Sequence, residues 1–192
     1  LLPGTGDEGL HRLYDGLISH ILEDFKPELI INSAGQDNHF SDPLASMAVT
    51  AQGYARLADK LQADIAVLEG GYSVESALPY VNTGIILAMA GMDYSKVLEP
   101  DMSQLRKQDP RCNKRVDQLI EQVGDLYFNR ERTKKELLQK CNGVWQRKKH
   151  IYYDEEGIRE QQLETVRYCS ICDGYFTIQT AAEDTRFGDR KS

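Results

Sequence analysis

Two side chains capable of binding a metal follow a short apolar run near the start of the chain. Asp37 and His39 lie two residues apart, just after the apolar segment 29–31. That segment is too short for a helix and is typical of a buried strand. The small residues at 33–35 indicate a tight turn or a close backbone approach. Because ligands of open α/β sheets bind at the carboxyl ends of strands, the spacing predicts a ligand site, with a solvated Asx turn as the simpler alternative.

A second strand exit further along the chain favours the ligand site. The apolar segment 65–68 is followed by Glu69, Gly70, Gly71 and Tyr72. Two adjacent glycines let the backbone pass close to another group. Parallel strands end at the same edge of a sheet, so we expect the two exits to lie side by side.

A helix is predicted before the first strand. Apolar residues recur at three- and four-residue spacing over residues 10–25, and a proline two residues later ends the pattern. Thr5 and Glu8 have the spacing of a capping box at its start. His11 and His20 lie off the apolar stripe, and both are predicted to face solvent.

Two more helices complete a strand–helix–strand arrangement. Thr50 is a good N-cap for a helix that precedes the strand 65–68. Short links between strand, helix and strand predict two parallel strands with a right-handed crossover. Ser76 is the predicted cap of the next helix, which tolerates Pro79 in its first turn and ends near Gly91. This part of the chain is predicted to form half of a doubly wound parallel sheet.

The segment 101–150 is rich in charge and predicts one or two long surface helices. Apolar residues have helical spacing over residues 116–127 and again over 137–145. Cys141 shares the second stripe, so packing is its expected role. The basic run at 147–150 is short and bounded by acidic residues, which is typical of a solvated face.

Cys169 and Cys172 have the C-x-x-C spacing of a metal knuckle or a redox pair. Gly174 follows, and then an alternating apolar segment predicts a strand. Three interpretations stay open: half of a structural zinc ribbon, a redox pair, and two incidental thiols. A redox pair of the thioredoxin type would lie at a strand-to-helix junction, whereas a strand is predicted here.

Composition limits the class of protein. The 192 residues carry a formal net charge of −7, which argues against a phosphate-binding surface and hence against direct contact with nucleic acid. No apolar run approaches the ~20 residues needed to cross a bilayer, so no membrane association is expected. Four scattered cysteines are too few for a disulfide scaffold and favour a reducing cytoplasm.

Several motifs taken together resemble the histone deacetylase family, which includes bacterial acetylpolyamine amidohydrolases and acetoin-utilisation proteins. They occur in order over roughly the first half of the chain, after a loop at residues 2–8 that is also similar to the family. The motifs are Ser33-Ala34-Gly35-x-Asp37-x-His39, Asp42-Pro43-Leu44, Thr50-x-x-Gly53-Tyr54 and Leu68-Glu69-Gly70-Gly71-Tyr72. The resemblance implies the carboxyl-terminal part of an α/β, parallel-sheet, three-layer arginase/deacetylase-like fold.

The resemblance also implies a metal amidohydrolase that removes acetyl groups from lysine or polyamine-type amines. Asp37 matches a ligand of zinc or another divalent metal, and Tyr72 matches the oxyanion donor. Gly70 and Gly71 would let the Tyr72 backbone turn close under the substrate. His39 is no ligand in the family pattern and is interpreted as an outer-sphere or rim residue. Gln36 replaces a residue that is more often apolar, which would alter the wall of a substrate channel.

The chain departs from the family pattern in what it lacks. It contains no further Asp-x-His segment and no His-His pair, and the family carries both upstream of these motifs. We therefore expect a deacetylase-like part at 1–100 that needs the upstream part of the same domain as its partner. A helical extension at 101–150 and a C-x-x-C hairpin at 151–192 are expected to follow.

Two alternatives stay open: a non-catalytic interaction or regulatory module with the same fold, and arginase-type guanidine hydrolysis. The second uses a two-metal site rich in Asp-x-Asp, which this sequence does not show. The sequence does not indicate an oligomeric state.

Overall fold

The computed structural model describes residues 1–100, 102, 105, 107–153, 155–172 and 174–185. Contacts divide the chain into one unit at 1–127 and another at 128–192. The boundaries predicted at residues 100 and 150 stay predictions, and the end of the predicted hairpin segment, 186–192, lies outside the described residues. None of the helices in the described ranges is long and apolar enough to cross a membrane.

The first unit is built from helices around two short parallel strands. A continuous helical segment with a π-helical turn in its middle comes first, and helices then alternate with the strands. The elements are α1 (Asp7–Leu13), the π-helical segment (Tyr14–Ile18), α2 (Ser19–Phe25), β1 (Ile31–Ala34), α3 (Ala51–Leu61), β2 (Ile65–Leu68), α4 (Leu78–Met89) and α5 (Pro110–Phe128).

The two strands are parallel neighbours, as the sequence predicted. Their register runs from Ile31 opposite Ile65 to Ala34 opposite Leu68, with α3 in the connection between them. α3 and α4 pack closely, because a Cβ added at Gly84 of α4 would lie only 3.1 Å from the Cβ of Ala55. The buried core around this contact consists of Ala34, Val49, Ala51, Tyr54, Ala55, Ala58, Val81, Ile85, Ala88 and Val97.

Two of the three predicted helix caps are wrong. Thr50 caps α3 as predicted, since its hydroxyl oxygen accepts the Gly53 N–H at 3.0 Å. Thr5 does not cap α1: Gly6 is the N-cap, and the Thr5 hydroxyl donates to a carbonyl upstream of the helix. Ser76 does not cap α4, because its hydroxyl is bonded to Ser73 and the helix begins without a side-chain cap.

α5 packs on the first helical segment, which confirms a surface helix that buries one stripe on the body. A Cβ added at Gly16 would meet the side chain of Ile120 at 2.7 Å, so the two helices approach closely. Arg12 also forms a two-pronged ion pair with Asp117, at 2.5 and 3.0 Å. Val116 is fully buried in the contact.

The second unit is one helix followed by an antiparallel sheet. Its elements are α6 (Arg130–Cys141), β3 (Val144–Tyr153), β4 (Ile158–Arg167) and β5 (Tyr175–Asp184), with the strands in that order. The predicted continuation of the helix to Trp145 is wrong, because Asn142 and Gly143 adopt φ values of 47° and 75° and end α6. The basic run lies on β3 and is exposed, as expected, with Arg147 paired to Glu164.

His11 is buried, so the prediction that it faces solvent is wrong. Its side chain is 7% exposed on the α1 helix, which packs against α3. Neither ring nitrogen has a hydrogen-bond partner among the described residues. Burial lowers the pKa of His11, and the nearby cations Lys60 and Arg56 lower it further. His20, by contrast, is exposed as expected.

We expect His11 to make the stability of the protein depend on pH. Its folded-state pKa lies below the ordinary 6.5, so at mildly acidic pH the unfolded chain binds more protons than the folded one. The free energy of unfolding should therefore be constant above about pH 7 and fall as the pH drops below about 6.5. Urea unfolding of the wild type and of His11→Leu over this range measures the effect. The variant should lose this slope and His20→Gln should keep it; an unchanged slope in His11→Leu would rule out His11 as its source.

Gly53 lies where a side chain would displace the start of helix α1 from helix α3. A Cβ added there would be 2.0 Å from an oxygen of the Asp7 carboxylate. That carboxylate cannot move freely, because it accepts both the N–H and the hydroxyl of Thr50, at 2.8 and 2.6 Å. The start of α1 and the start of α3 are thus fixed to each other.

We expect Gly53→Ala to destabilise the first unit by about 1–3 kcal/mol, as in other overpacked sites. Gly124→Ala is the matched control in helix α5, where an added Cβ makes only ordinary contact with Leu17 at 3.6 Å. It should be neutral or stabilising by up to ~1 kcal/mol, since alanine favours a helix. Denaturant unfolding of both variants tests this, and equal stabilities would contradict the steric argument.

Candidate functional site

The two predicted strand exits lie side by side at one end of the sheet. Beyond the last paired residues, the Gln36 N–H donates to the carbonyl of Gly70 at 2.6 Å. The parallel pairing of β1 and β2 thus continues by one hydrogen bond into the loops that carry Asp37 and Tyr72. This brings the two principal predicted site residues to the same edge, as the sequence indicated.

Asp37 lies directly over the backbone of the other exit. A Cβ added at Gly70 would be 3.2 Å from both Cγ and Oδ2 of Asp37. A Cβ added at Gly35 would be 2.8 Å from Oε2 of Glu69 and 3.4 Å from Oδ1 of Asp37, so the two carboxylates lie close to the same point. The Asp37 carboxylate is half-buried, and none of the described residues donates a hydrogen bond to it. It is therefore open to a cation.

Gly71 can only be a glycine in this arrangement. Its φ is +144°, and an added Cβ would lie 2.9 Å from the Cβ of Gln36. Gln36 itself is 1% exposed, and its amide donates to the side chain of Asn82 on α4. The expectation that Gln36 lines a substrate channel is therefore wrong for this structure, because its side chain is packed inside the first unit.

Asp42 fixes the backbone of Tyr72, a role that the sequence analysis missed. Its Oδ2 accepts the Tyr72 N–H at 2.7 Å, and its Oδ1 accepts the Leu44 N–H at 2.9 Å. Asp42 is 7% exposed, whereas Tyr72 is 52% exposed. A buried carboxylate thus positions the start of an exposed aromatic side chain. The Asp-Pro-Leu motif identifies the turn at Asp42, but its second partner is 30 residues away along the chain.

His39 is buried, so its predicted place on the rim of a site is wrong. The side chain is 1% exposed; Nε2 lies 3.3 Å from Glu99 and Nδ1 lies 3.0 Å from the Ser41 hydroxyl. Glu99 also accepts the N–H of Ala51, the first residue of α3, at 2.9 Å. Burial alone would raise the pKa of Glu99, but the hydrogen bonds from His39 and Ala51 hold it below its usual value. His39 therefore links the loop after β1 to the start of α3.

Cys169 and Cys172 lie in the second unit, in the turn between β4 and β5. Both thiols are free, and each accepts a backbone N–H from the same turn at 3.4 Å. The pair has the expected strand–turn–strand setting. Its role in metal binding stays a prediction.

The described residues provide only part of a metal site. They contain no group of three or more His, Cys, Asp or Glu side chains that could hold a metal ion. Asp37 has the chemistry and the openness of one ligand. A catalytic zinc normally takes three protein ligands, so the residues fit such a site only if others join them.

Comparison with known proteins shows what the segment that carries these residues is similar to. Residues 1–89 match the model of the histone deacetylase domain. A probable deacetylase of Archaeoglobus fulgidus is 53% identical over 110 residues, which cover 53% of this chain and 31% of that protein. A histone deacetylase-like amidohydrolase of Pseudomonas aeruginosa is 28% identical over 65% of this chain and 36% of its own length. The crystal structure of the HDA15 HD domain aligns with 72% of this chain and 37% of its own, with a TM-score of 0.54 and 22% identity.

The parallel strands, their helices and the likeness to that crystal structure define an α/β protein with the deacetylase fold, which confirms the predicted fold class. With the match over residues 1–89, the first part of the chain is similar to the histone deacetylase family. It spans about a third of the length of the two curated relatives described above.

We expect the carboxylate of Asp42 to protect the amide of Tyr72 from hydrogen exchange. In Asp42→Asn only one side-chain oxygen remains to accept two N–H groups, so one buried donor loses its partner at a cost of about 1–3 kcal/mol. Native-state hydrogen exchange, read at the amides of residues 72 and 44, should be at least several-fold faster for at least one of them. Asp93→Asn is the matched control, because Asp93 accepts the Ser95 N–H in an exposed turn. Unchanged protection at both amides would contradict the role of Asp42 in fixing the Tyr72 backbone.

Proposed function

We propose that the chain supplies the carboxyl-terminal part of the catalytic domain of a metal-dependent deacetylase, which hydrolyses acetylated amines such as acetyl-lysine or acetylpolyamines. The observation that carries the proposal is the adjacency of the two strand exits, which place an open carboxylate and an exposed tyrosine at one edge of the sheet. The similarity of residues 1–89 to the histone deacetylase domain supports hydrolase chemistry at this edge.

In this proposal Asp37 is one ligand of zinc or another divalent metal. Such a metal would polarise the acetamide carbonyl and make a bound water nucleophilic at neutral pH. The half-buried position of Asp37 over Gly70 orients the carboxylate without a competing hydrogen bond from the described residues. Glu69, whose Oε2 lies beside Gly35 as Oδ1 of Asp37 does, adds negative charge that favours a cation nearby.

Tyr72 is the proposed donor to the oxyanion. A phenol hydroxyl aimed at the developing negative charge stabilises the transition state more than the ground state. Asp42 fixes the Tyr72 backbone by accepting its N–H. Gly71 has no Cβ and therefore lets the same backbone segment lie close to Gln36. We assign Asp42 a positioning role, because it touches Tyr72 rather than the substrate.

The remaining ligands and the proton-transferring histidines are proposed to come from the upstream part of the same domain. Two features of the first unit support such a partner. Parallel sheets are normally covered on both faces, yet Ile31, Val67 and Leu68 are 56%, 46% and 72% exposed. A two-stranded parallel sheet also leaves backbone groups at its edges available for further strands.

Four free thiols support the proposed cytoplasmic location.

We expect Tyr72→Phe in the complete protein to lower turnover by ~10²–10³, the usual effect of losing one oxyanion donor. Substrate affinity and metal content should change little. Steady-state kinetics on an acetyl-lysine peptide and on an acetylpolyamine, with metal analysis, measure both. Tyr94→Phe is the matched control, since that hydroxyl contacts Asp59 on the surface.

The positioning role of Asp42 adds a second comparison to the same experiment. Asp42→Asn should lower turnover in the wild type but cost little more in the Tyr72→Phe background, because both changes remove one function. Additive losses would assign Asp42 a purely structural role. A loss below threefold in Tyr72→Phe with metal retained would overturn the proposed chemistry and favour the non-catalytic module.

A further inference from the structure

The turn that carries Cys169 and Cys172 has the geometry of a metal knuckle. It joins two antiparallel strands, with Arg167 opposite Tyr175 as the last pair of the ladder. Gly174 closes the turn with φ of +76°, and an added Cβ there would lie 2.0 Å from the Arg167 carbonyl oxygen. A redox pair of the thioredoxin type would instead lie at the start of a helix, so the strand on each side disfavours that interpretation.

Backbone N–H groups point at both sulfurs. The Ile171 N–H donates to Sγ of Cys169 and the Gly174 N–H donates to Sγ of Cys172, each at 3.4 Å. Donors aimed at sulfur stabilise the thiolate, which is the form that binds a metal. The hydrogen bonds of the turn thus fix the positions of both sulfurs.

Two thiolates are half of a structural zinc site, which almost always has four ligands. The described residues hold no third metal ligand close to the pair. Cys141 is the nearest candidate along the fold: the Tyr168 N–H donates to the Gly143 carbonyl at 2.8 Å, so the end of α6 lies at the same end of the sheet. Even so, Cys141 does not join the pair in a group of three.

The turn is open to a second copy of the chain. Cys172 is exposed, and Ile171 between the two cysteines is 95% exposed. Two cysteines held in one exposed turn supply two of the four ligands of a structural zinc site. An identical pair supplies the other two most simply, because a twofold arrangement places four sulfurs in a tetrahedron.

We propose that Cys169 and Cys172 from two copies of this chain bind one zinc ion between them and so join the copies through the second unit. The site is separate from the proposed catalytic metal, and it does not depend on the function assigned to Asp37 and Tyr72. Coordination releases the two thiol protons of each copy to solvent and changes no oxidation state.

The test uses the 192-residue chain, kept reduced with a phosphine, and zinc as the only added metal. After gel filtration, we expect about one zinc per two chains, in line with four thiolates per ion. A chelator should remove the zinc and halve the mass measured by light scattering. Cobalt in place of zinc should give the sulfur-to-metal charge-transfer band and the visible bands of a tetrahedral thiolate site.

Four variants make the result specific. Cys169→Ser combined with Cys172→Ser should lose the zinc, the cobalt spectrum and the zinc-dependent step in mass, with an unchanged circular dichroism spectrum. Cys141→Ser and Cys112→Ser are the controls that keep all three, and Asp37→Ala should keep them as well. The proposal is overturned if the double variant keeps its zinc, if one zinc is bound per monomeric chain, or if Cys141→Ser loses the ion.

Discussion

The first unit depends on the close passage of two strand exits. The hydrogen bond from Gln36 to Gly70 draws the loops together, and Gly70 and Gly71 leave no side chain in the gap. Any Cβ at residue 70 would press on Asp37, and any Cβ at residue 71 would press on Gln36. The glycine pair therefore determines where the carboxylate lies and where Tyr72 leaves the sheet.

Buried and half-buried carboxylates hold much of the remaining structure together. Asp7 connects the start of α1 to the N-cap of α3, Asp42 fixes the backbone of Tyr72, and Glu99 joins His39 to the first residue of α3. Each accepts backbone N–H groups that would otherwise be unpaired, which repays part of the cost of burying charge. Asp37 differs from these three because its oxygens accept no hydrogen bond from the described residues. This difference distinguishes a candidate ligand from structural carboxylates.

The second unit is stabilised mainly by hydrogen bonds between strands and has few buried side chains. Its sheet is held by long antiparallel ladders, while many of its side chains are exposed, among them Tyr175, Phe176 and Ile178. A short chain segment with little core gains stability from a metal or from a partner. The proposed zinc site at Cys169 and Cys172 would supply both in one contact, and the N–H groups that bond to the two sulfurs would lower the cost of organising the ligands.

The sequence by itself determined β1, β2, α3 and the parallel pairing, because short apolar runs, the Thr50 cap and the glycine pair are local signals. It also predicted that Asp37 and Tyr72 follow the two strands, while their roles stay predictions. Only the tertiary structure decided the rest, since burial depends on what packs from elsewhere: His11 is buried where α1 packs against α3, and His39 meets a glutamate 60 residues away. Trp145 lies in strand β3 and not in the predicted helix, because β3 pairs with β4 along its whole length. The interactions along this ladder outweigh the local preference that the helical spacing indicates. The sequence could not predict the role of Asp42 for the same reason, because Tyr72 becomes its neighbour only when the two strand exits come together.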